Sequence, residues 1–332
     1  MVIKDYRSII IISFYALMNS AIIWIAFSQQ VLTLDATKKP GSMAPEFTII
    51  ETLEYFHLKN GIAQMSLSAD NMKSQGEELA EFFNPRGIYN YQQRNETLRY
   101  EAVEADYKKA KDLLTLKGDV KVTSSEAIYK AQKVKYYLKK DLMIGTGGVD
   151  FQGEDLKSKD HLTVTSDSMR ANPQSQYSRF QGNVKGTMQR KKKYEGKTTF
   201  SSADMTVEGD KSLAHLEGDV VMNRENYVIT SGKADMYLEN FNKSLKYFVL
   251  NDDVKMTETL NTPQGVTQRK AFAERLEGFG REEKMVLTGA PRVEMGTDVI
   301  KGYKITIREN VDLIEVDDSM SDVQMKRKKT KE

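Results

Sequence analysis

The sequence predicts an all-β fold that follows a single N-terminal membrane-spanning helix. Two observations lead to this prediction: one uncharged apolar stretch near the N-terminus, and a strand-like phrase that recurs through the rest of the chain. Composition agrees with them. Of the 332 residues 39% are hydrophobic and 29% are charged, which is too polar for a many-helix transporter, while 13 Phe and 16 Tyr are too many for a disordered chain. The sequence therefore predicts a thin core spread along a long array of strands.

The predicted membrane helix is Ser8–Phe27, in which no residue is charged. A helix of that length spans a hydrocarbon layer about 30 Å thick. Lys4 and Arg7 precede it closely, whereas the next positive charge is Lys38, so the N-terminus is expected in the cytoplasm and the rest of the chain outside. A secretory signal cleaved at Ala26–Ser28 is the alternative, although signal cores usually run only about 7–15 residues.

Changes of composition along the chain predict its division into segments. A basic, turn-prone stretch at Met188–Thr198 marks either a junction between two parts or a long hairpin loop. The C-terminal residues are charged and have no hydrophobic period, so disorder is expected there. The predicted segments are a cytoplasmic tip with the single helix (1–30), a linker (31–46), a first β-region (47–190), a second β-region (191–318) and the tail (319–332).

A short phrase recurs six times after the linker, most clearly as LKGDVKV at Leu116–Val122 and LEGDVVM at Leu216–Met222. In the columns two before, two after and four after its centre, 15 of 18 residues are large and apolar. In the interleaved columns 15 of 18 are polar or charged. This period of two indicates half-buried β-strands. The central residues are Gly118, Gly147, Gly182, Gly218, Asp252 and Gly289.

A second apolar strand precedes each phrase, so that a unit of about 35 residues is strand, turn, strand, turn. Its inner positions stand thirteen residues before the central column, at Ala105, Val134, Met169, Met205 and Leu276. The pattern predicts on the order of 14–17 strands across 47–316. The central glycines are expected on the buried side, where they bend the strand or leave space. Beyond the membrane helix, only Gln75–Phe83 has a helical pattern.

No constellation of catalytic or metal-binding residues is visible. The chain has no Cys, and its three His (His57, His161 and His215) are too far apart for a zinc site. No Gly-rich phosphate loop precedes a helix, and no Ser lies in a nucleophile elbow. Recurring carboxylates such as Asp119 and Asp219 fall on the polar side of the strands. We therefore predict no enzyme activity, no catalytic residue, no metal and no cofactor, and the net charge of +2 gives no reason to expect nucleic acid.

The apolar side of the strands is the candidate functional surface. If the sheet packs against itself this side is core, and the pattern alone favours that interpretation. If the sheet stays partly open, the same side is a groove whose length suits acyl chains. The candidate groove residues are Leu116, Val120, Val122, Val149, Phe151, Phe180, Val184, Leu216, Val220, Met222, Leu250, Val254, Met256, Leu287 and Val293.

The order of a membrane helix and Gly-Asp-Val strand repeats resembles the lipopolysaccharide export proteins LptC and LptA, the OstA-like family. Residues 1–188 resemble LptC, with a strand pair at Tyr55–Ala69 that leads to the phrase at Leu116–Val122. Residues 197–317 resemble the LptA/OstA repeat, most clearly at Ala271–Val316. LptC-type proteins end near residue 190 of this sequence, so the chain resembles an LptC-type part extended by LptA-type repeats.

The resemblance implies a twisted, partly open antiparallel β-jellyroll of OstA-like repeats. It implies an inner-membrane carrier and bridge component, with its bulk in the periplasm, that passes lipopolysaccharide from the inner to the outer membrane through an apolar groove. The implied partners are the lipid A acyl chains of lipopolysaccharide, an ABC-type extractor in the inner membrane, and other LptA-like jellyrolls joined by edge strands. The alternative hypothesis is a membrane-tethered structural or adhesive β-solenoid with a fully packed interior.

Overall fold

The computed structural model describes residues 47–317 apart from short gaps, and these residues belong to one compact unit, Glu46–Glu332. The predicted helix Ser8–Phe27, the linker 31–46 and the tail 319–332 lie outside the described residues. In the part of the chain that is described, no helix is long and apolar enough to span a membrane. The gaps are 60–61, 76–78, 92–95, 126, 155–160, 190–196, 225, 240–243, 263–264, 280–281, 283 and 309–313.

Between residues 47 and 317 the described segments form 21 β-strands in one antiparallel sheet. The strands are β1 (Phe47–Lys59), β2 (Ile62–Gln75), β3 (Leu79–Phe83), β4 (Arg86–Tyr91), β5 (Glu96–Glu101), β6 (Glu104–Lys108), β7 (Leu113–Thr123), β8 (Ala127–Tyr137), β9 (Leu142–Glu154), β10 (His161–Asn172), β11 (Tyr177–Gln189), β12 (Lys197–Glu208), β13 (Leu213–Arg224), β14 (Tyr227–Glu239), β15 (Ser244–Thr262), β16 (Gly265–Phe279), β17 (Lys284–Thr288), β18 (Arg292–Met295), β19 (Asp298–Lys301), β20 (Lys304–Arg308) and β21 (Ile314–Asp317).

The predicted alternation of buried and exposed side chains is confirmed. The second strand of each unit is confirmed as well: Ala105 of β6 pairs with Leu116 of β7, and Met205 of β12 pairs with Leu216 of β13. Both side chains of each pair are buried. Most neighbouring strands are consecutive in the chain, so the array is a meander in which one face of every strand is buried.

Each recurring phrase bends its strand in the middle. In β7 both Gly118 and Asp119 have left-handed backbone, with φ of 73° and 45°. Around them Lys117 pairs with Lys133 and Val120 with Ala131, so two residues of β7 face one residue of β8 in a β-bulge. The same left-handed pair occurs at Gly147–Gly148, Gly182–Asn183, Gly218–Asp219, Asp252–Asp253 and Gly289–Ala290.

The bending role expected for the central glycines is therefore confirmed, but their expected burial is wrong. Gly147, Gly218 and Gly289 are exposed, since the extra residue of the bulge leaves them on the outer side of the bend. Gly218 also lies against the neighbouring strand: a Cβ added there would be 2.8 Å from the Cβ of Ala203. At this position glycine satisfies both the backbone angle and the close approach.

The bends also explain two differences from the predicted strands. At four places the chain stops pairing where the sheet bends, so that one predicted strand is divided in two. These places lie between β3 and β4, β5 and β6, β17 and β18, and β19 and β20. Counting each interrupted strand once gives 21 − 4 = 17 among the described residues, the upper end of the predicted number. The helical pattern at Gln75–Phe83 was misleading, because Leu79–Phe83 is β3, which pairs with β2 on one side and β6 on the other.

The bend folds the sheet back on itself at the C-terminal end of the array. Arg269 lies ten residues before Phe279 on β16, and Phe279 pairs through Lys284 with Arg308. Ten residues of straight strand span roughly 33 Å. Nevertheless the Nη2 atom of Arg269 donates a 2.9 Å hydrogen bond to the main-chain carbonyl of Arg308. The two halves of β16 therefore face each other.

The N-terminal end of the array is closed in the same way. Tyr89 of β4 pairs with Met65 of β2. Asp141 lies in the turn after β8, and the pairing from strand to strand places this turn beside Gln75, ten residues further along β2 than Met65. The Tyr89 hydroxyl nevertheless donates a 3.0 Å hydrogen bond to Oδ1 of Asp141. We call the strand segments on the side of the turns 109–112, 138–141, 173–176 and 209–212 the first half-sheet, and those beyond the bends the second. The line where their free margins meet is the seam.

We expect Gly218→Ala to lower the free energy of unfolding by about 1–3 kcal/mol, because alanine is strained at a φ of 80° and its Cβ meets Ala203. Chemical denaturation of the purified chain measures the change. Gly145→Ala is the matched control. Its backbone is not left-handed, and its added Cβ would be an ordinary 3.4 Å from Val149. Equal stability of the two variants would contradict the role given to the bend.

Candidate functional site

The inner sides of the two half-sheets form one continuous apolar cluster that extends from Met65 to Ile307. Fourteen of the fifteen candidate groove residues belong to it, with exposed fractions between 0% at Val184 and 5% at Val122. The fifteenth, Phe151, is partly buried and packs against the cluster. The structure thus brings the sequence-predicted residues together along a single interior.

This interior is closely packed at its N-terminal end. Aromatic rings pack against one another: the ring centroid of Phe151 on β9 lies 4.8 Å from that of Tyr129 on the neighbouring β8 and 6.1 Å from that of Phe180 on β11, two strands away. A cavity of about 30 Å³ remains, with Met65 and Pro173 in its lining, and it has room for only one or two water molecules. Its lining residues come from both half-sheets. In the described state this part of the interior is closed.

Buried tyrosines satisfy their hydroxyl groups inside the apolar layer. The Tyr100 hydroxyl donates a 2.8 Å hydrogen bond to the carbonyl of Ser66, and its ring lies directly over Gly87, where any Cβ would collide with it. Burial raises the pKa of Tyr100. The pKa of Tyr107 is raised too, first by burial and then by the neighbouring Tyr55 and Asp112. Both hydroxyl groups therefore stay neutral at ordinary pH.

A column of small residues at the inner side of the bend was missed at the sequence level. Ala131, Ser166 and Ser202 each stand sixteen positions before a central glycine. The two serines bend their own strands, because the Ser166 hydroxyl donates to the carbonyl of Ser168 (2.9 Å) and the Ser202 hydroxyl donates to that of Asp204 (2.8 Å). The fixed spacing was the signal that could have found them.

A fully buried ion pair was also missed. Glu258 of β15 and Arg269 of β16 are cross-strand partners, and both have an exposed fraction of 0%. Oε2 of Glu258 accepts hydrogen bonds from Nε (3.1 Å) and Nη2 (2.5 Å) of Arg269, and its Oε1 accepts one from the Asn226 amide (2.9 Å). Both residues continue the inward positions of Met256 and Ala271, so two charges interrupting an apolar column were the available signal.

The outer side of the sheet holds scattered ion pairs and no convergent chemistry. Asp119 and Asp219 are exposed, as the alternation predicts. His215 lies on this side, where its Nδ1 is 2.6 Å from Asp235 and its Nε2 is 3.3 Å from Glu208. Within the described ranges, no group of three or more His, Asp or Glu side chains could hold a metal ion.

Comparison with known families gives this interior a context. Residues 10–189, more than half of the chain, match the LptC-related lipopolysaccharide-assembly family. The chain belongs to this family. Residues 199–312 of this LptC-related protein also match the LptA/LptD N-terminal domain family of lipopolysaccharide transport proteins. The resemblance drawn from the sequence is therefore confirmed: the protein is an LptC-type component of the lipopolysaccharide transport bridge, extended by LptA-like repeats.

Individual proteins are more distant from this LptC-related chain. The solved structure of LptH, the LptA-homologous periplasmic component of the lipopolysaccharide transport device of Pseudomonas aeruginosa, is 15% identical and covers 39% of this chain and 89% of its own, with a TM-score of 0.33. No curated protein matches the chain.

The stretch between the two family matches coincides with the predicted junction near residue 190. The sheet continues across it, because Gln189 of β11 pairs with Lys197 of β12 and the pairing extends to Tyr177 and Glu208.

We expect Tyr100→Phe to reduce the loss of stability at alkaline pH. The pKa of Tyr100 is higher in the folded protein than in the unfolded chain, where it is about 10. The neutral hydroxyl therefore contributes fully to the free energy of unfolding below pH of about 10, and this contribution is lost as pH rises through the folded pKa. Urea unfolding of wild type and variant between pH 8 and 12 measures the difference. Tyr303→Phe, at a site 77% exposed, is the control for loss of a tyrosine hydroxyl outside the interior. Parallel curves for Tyr100→Phe and wild type would contradict the expectation.

Proposed function

We propose that the apolar interior carries the acyl chains of lipopolysaccharide from the inner membrane towards the outer membrane. The observation behind this proposal is that one apolar cluster runs without interruption from β2 to β20. An acyl chain left in water costs about 0.8 kcal/mol for each exposed CH₂ group. A lipid that crosses an aqueous compartment therefore needs a continuous apolar cover, and the two half-sheets supply one.

The N-terminal part of the interior is too closely packed to hold an acyl chain, so the proposal requires the half-sheets to separate there when lipid is present. The side chains of the interior favour this. Met205, Met222, Met236, Met256 and Met285 are all fully buried, and methionine adapts its shape more readily than branched residues do. On this proposal the interior is core when empty and becomes the partly open groove when loaded.

The remaining parts of the chain have proposed roles in the same process. Ser8–Phe27 would anchor the protein in the inner membrane with the N-terminus in the cytoplasm, and residues 31–46 would link it to the sheet. Residues 47–190 would form the LptC-like jellyroll and 191–318 the LptA-like one. The family match that begins at residue 10 includes most of the proposed anchor, which supports this arrangement.

The two ends of the sheet are the proposed contacts with partners. Among the described strands β1 pairs only with β2, so its other edge presents free backbone groups, and Ile49 and Phe56 on it are 71% and 53% exposed. β19 and β21 form the corresponding end of the array. Edge strands of this kind accept another strand. We propose that β1 receives lipid from an ABC-type extractor and that the C-terminal end joins another LptA-like jellyroll.

A structural or adhesive role as a tethered β-solenoid is the second candidate, and the close packing of the interior favours it. The two functions differ in a simple way. A carrier must expose its inner side chains to lipid at some stage, whereas a structural solenoid keeps them in contact with protein alone.

Photocrosslinking residues placed one at a time at Val120, Val184 and Val220 should capture lipopolysaccharide in cells, because these side chains face the interior. The matched controls on the outer side are Lys121, Lys185 and Asp219, each directly next to its inner residue in the chain. They should capture no lipopolysaccharide. Gel mobility with detection of lipopolysaccharide reads the result. Equal capture at both sets of positions would rule out the interior as the path.

A further inference from the structure

The Glu258–Arg269 pair occupies an unusual place for two charges. Both side chains are wholly shielded from solvent and extend the inward row of Met256 and Ala271. An ion pair removed from water to this degree is costly unless its geometry is good and its remaining hydrogen-bonding groups are satisfied. Here the carboxylate accepts three hydrogen bonds, one of them from Asn226. A well-satisfied pair of this kind contributes specific geometry more than stability.

The specific geometry is a connection across the seam. Glu258, Arg269 and Asn226 belong to the second half-sheet, at the ends of β13 to β16. The carbonyl that accepts the third hydrogen bond of Arg269 belongs to Arg308, at the end of β20 in the first half-sheet. The guanidinium group therefore holds the margins of the two half-sheets together while Glu258 fixes its orientation.

Two other hydrogen bonds that the structure describes at this end of the array stay within one half-sheet. Arg308 contacts the carbonyl of Glu282, and Arg275 bonds Glu277 two residues along the same strand. Each of these contacts joins two residues of the first half-sheet, so neither crosses the seam. At the N-terminal end the seam is crossed by the hydrogen bond from Tyr89 to Asp141, which also accepts one from Tyr136. The C-terminal crossing depends on a charged group set among apolar side chains.

We propose that the Glu258–Arg269 pair is a seam latch: it keeps the C-terminal part of the interior closed, and its release from the Arg308 carbonyl lets an acyl chain pass between the half-sheets. This inference rests on the proposed function for the identity of the ligand, but the closing action itself is independent of it. The latch adds a directional contact to the seam, because the hydrogen bond to Arg308 must break before the margins of the two half-sheets can separate.

The test measures the seam directly in the full-length chain. Because the chain has no Cys, two introduced cysteines at Gln268 and Glu282, exposed positions on opposite sides of the seam, are labelled without background. Pulsed electron spin resonance then gives the distribution of distances between the labels. The key variant is Glu258→Met with Arg269→Met, which removes both charges together and leaves no unpaired buried charge. Arg275→Met, which breaks a pair inside one half-sheet, is the matched control.

We expect the double variant to show a longer and broader distance distribution than wild type, and the Arg275→Met control to show the wild-type distribution. Arg269→Lys is the second variant should the double variant fail to fold. Its ammonium lacks the planar fork that bonds Glu258 and Arg308 together, so a partial shift is expected. If the double variant folds and its distance distribution is unchanged, the latch is overturned. If only Arg269→Lys folds, an unchanged distribution in that variant overturns the latch instead.

Lipid capture by a photocrosslinker at Val220 separates the latch from the proposed function. A faster capture of lipopolysaccharide in the double variant than in wild type is the expected result. A wider seam with an unchanged rate of capture would overturn the role of the latch in lipid passage, although capture itself would uphold the proposed function. Absence of capture from both proteins would overturn the proposed function, and the label distances would still decide whether the pair closes the seam.

Discussion

The left-handed bend in the middle of the strands is the constraint on which the rest of this structure depends. A flat antiparallel sheet of this length would leave one whole apolar face in water. At Gly118–Asp119 and at each later copy, two residues with positive φ turn the strand so that its second half covers its first. The copies lie in alternate strands, and each faces a single residue of the strand beside it, so the bends line up and the sheet closes as a unit. Burial, the interior and the seam all follow from this one backbone feature.

Much of this architecture can be predicted from the sequence, because alternation at period two depends only on which side of a strand meets water. Leu116, Val120 and Val122 were assigned inward on that basis, and all three are buried. The side taken by the central glycines could not be predicted in this way. Their position depends on an extra bulge residue, and the counting of alternate residues has no means of detecting one. The serines at the inner side of the bend share a fixed spacing that could have found them, but their role in bending the strands follows only from the structure.

The Glu258–Arg269 pair shows a different limit. Each residue continues the inward positions of its own strand, but only the register of β15 with β16 shows that the two charges are opposite each other. Its contact with Arg308 depends on the folding back of β16 and so on tertiary structure. Local pattern thus predicts the apolar interior but not the buried ion pair at its margin.

On the proposed function, the packing that stabilises the interior must yield when a lipid enters it. A well-filled interior of branched residues would resist opening, whereas buried methionines and a few specific seam contacts permit two arrangements of similar free energy. This view reconciles the closed interior with membership of a transport family. On the proposed function, core and groove are not competing interpretations of the apolar face, because the same side chains would serve as both in turn.

Mass spectrometry of lipid extracted from the purified, folded chain tests the central claim most directly. If the interior is the path, chains isolated from cells that make lipopolysaccharide should retain it. A folded variant with Val220 replaced by a larger apolar residue should retain less, since the added volume competes with acyl chains for the same space. Absence of any retained lipopolysaccharide from the wild-type chain, or equal retention by both proteins, would contradict an interior path.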